Sequence, residues 1–343
     1  MNEFVRMSRY AGMREDLIQA SGGNSSYKVS AEKMLIKASG YQLADITAEQ
    51  GYAVVNPQII RAAFLQMPSM DELDEQKSKQ ILDSAFVGGK RPSIETFLHS
   101  ISGKYTLHTH PIAVNALTCR KEGMKTLAEL FPDALLIGYA KPGAELAKAY
   151  FEEYKKKAAD DNRIFDIVFL QNHGLVVSGN SADEVIDKTE AVVAKLEKYL
   201  GADLAAYHTA TEIWGLFPDK IVWRVTDANV LNTYAQMGMW DHQFCPDCVV
   251  FLGKKIMDLK DLADKEELNR FQSEAGEPVI ISYKSGLFII ADSVKKAMET
   301  QSVMSFSAQV MQLNKGYENN LLSEQQQDEL LNWDAEKYRK NMK

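Results

Sequence analysis

The chain has 343 residues, 45% hydrophobic and 25% charged, a balance that excludes a disordered or fibrous chain and leaves a folded globular one. Its formal net charge of −8 gives no reason to expect nucleic acid but allows a locally positive site for an anionic substrate, and no apolar run approaches a bilayer-spanning length. Three cysteines are too few for a disulfide scaffold and, with no apolar h-region in the opening MNEFVRMSRYAGMRED, lead us to expect a cytoplasmic protein.

In chain order, the first informative stretch is ASGGNSSYKVSAEKMLIKASG, residues 20–40. Gly22–Ser26 read as a turn after a helix. Tyr27–Ser30 and Met34–Lys37 read as two strands, and the second ends in Ala38-Ser39-Gly40. Two small polar loops joined this way can offer backbone N–H groups and hydroxyls to an anion, with Lys37 as a nearby charge; glycine, serine and asparagine also mark ordinary hairpins. Neither a Walker loop nor a G-x-G-x-x-G fingerprint occurs. In GKRPSIETFLHS, residues 89–100, Pro92, Ser93 and Glu95 read as a helix start. Glu95 is either a carboxylate available for proton transfer or metal ligation or an acid that favours the helix dipole. His99, four residues on, shares its face and is read as structural.

The run YTLHTHP follows, a short strand stopped by Pro111 before a helical pattern of Ile112, Val114 and Leu117. Residues i and i+2 of a strand share a face with Cα atoms about 7 Å apart, so His108 and His110 can converge on one ion. On a helix they would diverge by roughly 200°. The other reading puts one ring in the core and one outside the sheet. Farther on, IFDIVFLQNHG reads as a buried strand, Ile164–Leu170, that delivers His173 to its C-terminal end. Three such histidines make a nitrogen site for a divalent cation, in the catalytic zinc pattern of three protein ligands and an open position; a buried capping histidine is the alternative for His173.

An amphipathic helix, Ala182–Leu200, closes the N-terminal part, with Val185, Ile186, Val192, Val193 and Leu196 on one side. Cys245-Pro-Asp-Cys248 then has C-x-x-C spacing, but the following VVFLG reads as a strand, Val249–Leu252, where a redox pair wants a helix. A strand over Val279–Ile290, a helix over Val294–Leu313 and a polar surface helix with Leu321, Leu330, Leu331 and Trp333 complete the chain. No linker rich in proline, glycine or serine separates the two parts, so residues 206–343 are expected to pack on residues 1–205.

The order Gly-Gly-Asn-x-Ser, Ser-Gly after a strand, Ser-x-Glu, His-x-His-Pro and Asn-His-Gly, over residues 20–175, resembles the class II aldolase/adducin family. That family includes fuculose-phosphate and rhamnulose-phosphate aldolases and ribulose-phosphate 4-epimerase. PSIETFLH, FCPDCVVF, PVIISYKSGLFIIADS and LSEQQQDELLNWDAEKYR are similar to the aldolase half of bifunctional rhamnulose-phosphate aldolase/dehydrogenase proteins. The dehydrogenase half is expected to be absent, in line with the missing dinucleotide motif. The resemblance implies a three-layer α/β/α fold with a mostly antiparallel central sheet, a catalytic domain over 1–205 and a C-terminal α/β extension over 206–343. Composition alone admits a Rossmann-like sheet equally.

The same resemblance implies that His108, His110 and His173 hold zinc or another divalent metal and that Glu95 is the acid/base carboxylate. Asn24, Ser39, Gly40 and Ser93 fall at phosphate-binding positions. Tyr139, in LIGYAKPGAEL, falls where the aldolases have a tyrosine that reaches a neighbouring subunit's site. Two departures stand out. Ser39-Gly40 replaces the frequent Thr-Gly, and Ser93-Ile94 replaces a pair of serines, which removes one phosphate hydroxyl that Lys37 can offset with charge. The implied reaction is reversible cleavage of a 2-ketose 1-phosphate to dihydroxyacetone phosphate and an aldehyde, in a homotetramer. A 4-epimerase, a decarboxylase of a 3-oxo-acid phosphate and a non-catalytic adducin-like scaffold are the alternatives; adducin-type members lack the histidine set.

Overall fold

Alternation of buried and exposed residues is weak in the N-terminal strands, and the computed structural model shows why. It describes residues 1–67, 69–158, 164–284 and 286–332. The chain divides into two units, Met1–Leu204 and Ala205–Lys343, taken here in turn.

In the first unit eight strands form one sheet: β1 Asn24–Ser30, β2 Lys33–Lys37, β3 Tyr52–Val55, β4 Phe86–Gly89, β5 Tyr105–Thr109, β6 Leu135–Ile137, β7 Ile167–Leu170 and β8 Gly174–Gly179. Their order is β4-β3-β2-β1-β5-β8-β7-β6. Only β6 and β7 run parallel; every other neighbouring pair is antiparallel. Helices Asn2–Gly12, Ile112–Thr118 and Ala182–Leu200 pack on β1, β5 and β8. Helices Pro57–Gln66, Glu75–Ala85, Thr96–Ile101 and Ala144–Lys157 share an aromatic-rich core (Phe64, Phe97, Phe151) with Leu135, Val168 and Val176 of the sheet. This is the mostly antiparallel three-layer arrangement, not the Rossmann-like sheet that composition allowed. Strand β5 is central, and all five of its residues are buried, as a strand covered on both faces must be.

The helix Ala182–Leu200 has the predicted bounds because its ends are chemically marked. Ser181 accepts a hydrogen bond from the Glu184 N–H, and Gly201 takes the left-handed conformation past the last turn, at φ +65°. Other bounds differ from the sequence reading. β1 begins at Asn24 rather than Tyr27, because Asn24–Tyr27 pair with His108–Tyr105 of β5. β7 begins at Ile167 rather than Ile164. The helix expected from Pro92 begins at Thr96 with Glu95 at its N-cap.

The second unit has a four-stranded sheet, β10-β11-β12-β9, from β9 Ile221–Arg224, β10 Met257–Asp258, β11 Ile280–Tyr283 and β12 Gly286–Ala291. Its core includes Ile280, Ile289, Met304 and Met311, the last two on helix Val294–Leu313. Two expectations are corrected here. Val279–Ile290 is not one strand but an antiparallel hairpin, turning at Lys284 with φ +47°. Val249–Leu252 is not a strand but part of helix Pro246–Leu252. A short apolar run fits either period; proline at the first helical position and Gly253 at φ +76° decide for the helix. The tail helix spans Glu324–Asn332, and Trp333 lies outside the described residues. No described helix is long and apolar enough to cross a membrane.

Candidate metal centre

His108 sits in the middle of the sheet, opposite Asn24 of β1 on one side and Val176 of β8 on the other. Its Nδ1 lies 3.0 Å from the Leu175 carbonyl. A carbonyl only accepts, so Nδ1 carries a hydrogen, and Nε2 is the nitrogen turned inward toward the other rings. His110 follows the strand end, with its Nε2 3.1 Å from His108 Nε2. His173 occupies the turn between β7 and β8. One side-chain nitrogen from each of the three histidines lies within 4.8 Å of the others, and the ring centroids are 4.9, 4.9 and 5.1 Å apart.

Backbone contacts hold this arrangement. The His110 N–H donates to the Leu17 carbonyl at 2.8 Å, and the Ile112 N–H to that of Asp16 at 2.8 Å. Residues 14–18 are themselves clamped by a fully buried fork. Arg14 Nε and Nη2 each donate to the Asp16 carboxylate at 2.6 Å, and Arg14 Nη1 donates to Glu190 at 2.8 Å. Asn172 has φ +55°, a conformation asparagine tolerates, and so turns the chain just before His173. Gly174 comes close to both other rings. A Cβ there would lie 2.2 Å from the Thr109 carbonyl oxygen and 3.0 Å from His110 Cδ2. A Cβ on Gly22 would lie 2.9 Å from His110 Nδ1, and one on Gly23 would lie 2.7 Å from the His108 carbonyl oxygen. The glycines of the Gly-Gly-Asn and Asn-His-Gly motifs therefore make room for the rings.

Glu95 stands beside the histidines, its Oε1 3.4 Å from His108 Nε2 and 3.6 Å from His173 Nε2. Its other oxygen accepts from Asn24 Nδ2, which also donates to Ser93 Oγ at 2.9 Å. Burial acts to raise the Glu95 pKa, but the His108 charge, hydrogen bonds from His108 and Asn24, and His173 outweigh it and hold the carboxylate well below its usual range. Burial works against charge on His108 too; there the Glu95 carboxylate wins and raises the ring above its ordinary value. His110 is pushed down to about 3 by burial and then by the neighbouring His108 and His173. His173 is pushed down to about 4 by burial and by His108. These two rings are neutral near pH 7, the form in which imidazole binds a metal. His99 is buried, bonded through Nδ1 to Ser26 Oγ at 2.7 Å, and pushed down to about 3 by burial.

The other residues singled out from the sequence are placed as follows. The loop after β2 meets the segment that leads to Ser93, through an isolated bridge between Ala38 and Pro92 and a hydrogen bond from Ser39 N–H to the Arg91 carbonyl. Gly40 has φ +81° and open space where a Cβ would stand. Lys37 is buried, and its Nζ donates to the carbonyls of Ser21 at 3.2 Å and Tyr41 at 2.7 Å. It ties the two small-residue loops together. Tyr139 is 67% exposed, and its backbone N–H donates to Gln171 Oε1 at 3.0 Å, two residues before His173. The sequence reading missed the carbonyls of Asp16, Leu17 and Leu175 and the Asn24–Glu95 contact. Only the glycines next to Asn24 and His173 signalled crowding there.

Fold and site together define the class. Residues 2–200 match the family described as Class II Aldolase and Adducin N-terminal domain, and the chain belongs to that family. A curated relative from Bacillus subtilis (strain 168), named Uncharacterized oxidoreductase YuxG, is 28% identical over 214 residues, which are 58% of this chain and 29% of that protein; the chain spans well under half of that relative. Among solved structures, the N-terminal class II aldolase domain of a conserved protein from Thermoplasma acidophilum is 25% identical, over 58% of this chain and 92% of that one, with a TM-score of 0.49. The L-fuculose-1-phosphate aldolase of Thermus thermophilus is 15% identical, over 58% and 94%, with a TM-score of 0.37.

Proposed function

We propose that the chain is a zinc-dependent aldolase that reversibly cleaves a 2-ketose 1-phosphate, of the rhamnulose- or fuculose-phosphate type, to dihydroxyacetone phosphate and an aldehyde. One observation carries the reading: three histidines converge beside a carboxylate that Asn24 holds in place. The donor set fits a cation. Two ligands of a tetrahedral ion with bonds of about 2.0–2.1 Å stand about 3.3 Å apart, and His108 Nε2 and His110 Nε2 are 3.1 Å apart. A divalent cation held by His108, His110 and His173 supplies Lewis-acid polarisation of the substrate carbonyl.

The chain's own groups do the rest. Glu95 moves the proton on and off the carbon next to that carbonyl. Asn24, which also donates to Ser93, fixes one Glu95 oxygen and leaves Oε1 to face the reacting atoms. Ser39, Gly40 and Ser93 bind the phosphate, and Lys37 lends charge from behind the loops. Tyr139 serves the site of a neighbouring chain in a homotetramer, for which its exposure is suited. The protein works in the cytoplasm.

The test is a panel of ketose 1-phosphates assayed for aldehyde release, together with metal analysis of the purified protein. The expected result is one divalent ion per chain and cleavage of one panel member. Interconversion of epimers without aldehyde release would make it a 4-epimerase. A protein that purifies without metal and leaves the whole panel untouched would be a scaffold. For the anion, the Ser39→Ala, Ser93→Ala double variant is expected to weaken inorganic phosphate binding at least about tenfold by calorimetry, since each hydrogen bond to a charged group contributes about 1.5–3 kcal/mol. Unchanged affinity would move the anion elsewhere. For the assembly, light scattering is expected to give a tetramer, and an active monomer would end the shared-site idea.

A further inference from the structure

The C-x-x-C pair lies in the second unit, and the strand that argued against a redox role is a helix. Cys245 is the N-cap of helix Pro246–Leu252, with φ −144° and ψ 159°, and its side chain makes no capping hydrogen bond. Cys248 is in the first turn of that helix. Positions three apart on a helical turn face the same way, and the two Sγ atoms are 3.1 Å apart. A disulfide bond is about 2.05 Å long, so the sulfurs need to approach by only about 1 Å. Both are free thiols.

The two environments differ. Cys248 is buried among Leu252, Met304, Ala308 and Met311, while Cys245 lies half-buried at the margin of that cluster beside Phe244. Burial, and then the neighbouring Cys245 thiol, push the Cys248 thiol up to about 12. Cys248 is therefore shielded from a reagent in solution, and Cys245 is the sulfur such a reagent reaches first. Among the described residues the pair belongs to no group of three or more potential metal ligands, so nothing completes a zinc site around it.

We propose that Cys245 and Cys248 form a dithiol site that exchanges reversibly with low-molecular-weight disulfides. The Cys245 thiolate attacks one sulfur of the small disulfide, RSSR. That S–S bond breaks, a mixed disulfide forms on Cys245, and the first RS⁻ leaves and takes up the Cys245 proton. Cys248 then attacks the Cys245 sulfur, the mixed disulfide breaks, and the second RS⁻ leaves with the Cys248 proton. Two protein thiols are oxidised to one disulfide, and one small disulfide is reduced to two thiols.

The test uses the full chain with Cys119→Ser, which removes the exposed third thiol, and oxidised glutathione as the probe. Native protein is treated, denatured, alkylated and weighed by mass spectrometry. The expected product has lost two hydrogens, takes up no alkylating reagent, carries no glutathione and returns to the dithiol with reduced glutathione. In the same background Cys248→Ala is expected to stop at a glutathione adduct on Cys245, and Cys245→Ala to react at least about tenfold more slowly than the parent. An adduct that persists in the parent, or a parent that does not react while native, overturns the proposal without recourse to the variants. Neither readout involves aldol cleavage, so the outcome is independent of the proposed aldolase activity.

Discussion

Glu95→Gln is expected to retain one divalent ion per chain and to lose about 10²–10⁴-fold in kcat, the range that a positioned acid/base group contributes. The carboxylate stands 3.4 Å from His108 Nε2 and 3.6 Å from His173 Nε2, close to the three histidines without joining their ring of nitrogens. Glutamine keeps the shape and can keep the contact with Asn24, but it cannot take or return a proton. The loss should therefore appear equally in kcat and kcat/KM, the signature of an interaction made only in the transition state. Steady-state kinetics and metal analysis on one preparation separate the outcomes. Full turnover would remove Glu95 from the chemistry. A variant that purifies without metal would make Glu95 a ligand of the resting protein.

The second large effect is expected at a residue with no side chain. Gly174→Ala places a methyl 2.2 Å from the Thr109 carbonyl oxygen, 3.0 Å from His110 Cδ2 and 3.3 Å from His108 Cε1. Backbone cannot yield as a flexible side chain does, so either β8 draws back from β5 or the two rings turn. Overpacking of this kind costs about 1–3 kcal/mol of stability. Misdirected ligands should cost about 10–100-fold in metal affinity, as disturbed supports of metal ligands do. Gly40→Ala is the control. It meets no atom within 4 Å at φ +81°, so it should cost about 1 kcal/mol of backbone strain and leave metal affinity unchanged. Competition against a chromophoric chelator measures the affinity, and a Gly174→Ala protein that binds metal like the parent would show that the rings do not depend on this close approach.

These effects also show how much was legible in the sequence. The pairing of His108 with His110 follows from strand periodicity, and Pro111 marks the end of the strand. The mostly antiparallel sheet was reached through the ordered motifs, because fully buried β5 shows no alternation to read. Asn24 illustrates what was hidden. It reads as a turn residue among glycines and serines, yet it is the first residue of β1, paired across the sheet with His108, and its amide holds a carboxylate 71 positions away in the chain. No local pattern encodes such a contact. Lys37 reads as a charge beside the two loops, but nothing local shows that its ammonium is buried and bonded to the carbonyls of Ser21 and Tyr41. Around Cys245 the error was one of weighting. Four apolar residues suggested a strand, while Pro246 and Gly253 already bracketed about two helical turns.

The sheet order bears on synthesis as well. β5 finds β1 among residues already made, but its other neighbour, β8, ends at Gly179, 70 residues after Thr109 where β5 ends. At about 5–20 residues per second on the ribosome, that interval is about 4–14 s. For that time the strand that becomes the centre of the domain is an open edge, its backbone N–H and C=O groups on that side free to pair with another nascent chain. His108 and His110 have emerged by then without His173 and cannot complete their ring of nitrogens. Closure of the sheet and completion of the histidine cluster thus fall to the same late hairpin, so a ribosome that stalls before Gly174 releases a chain with its middle strand half paired.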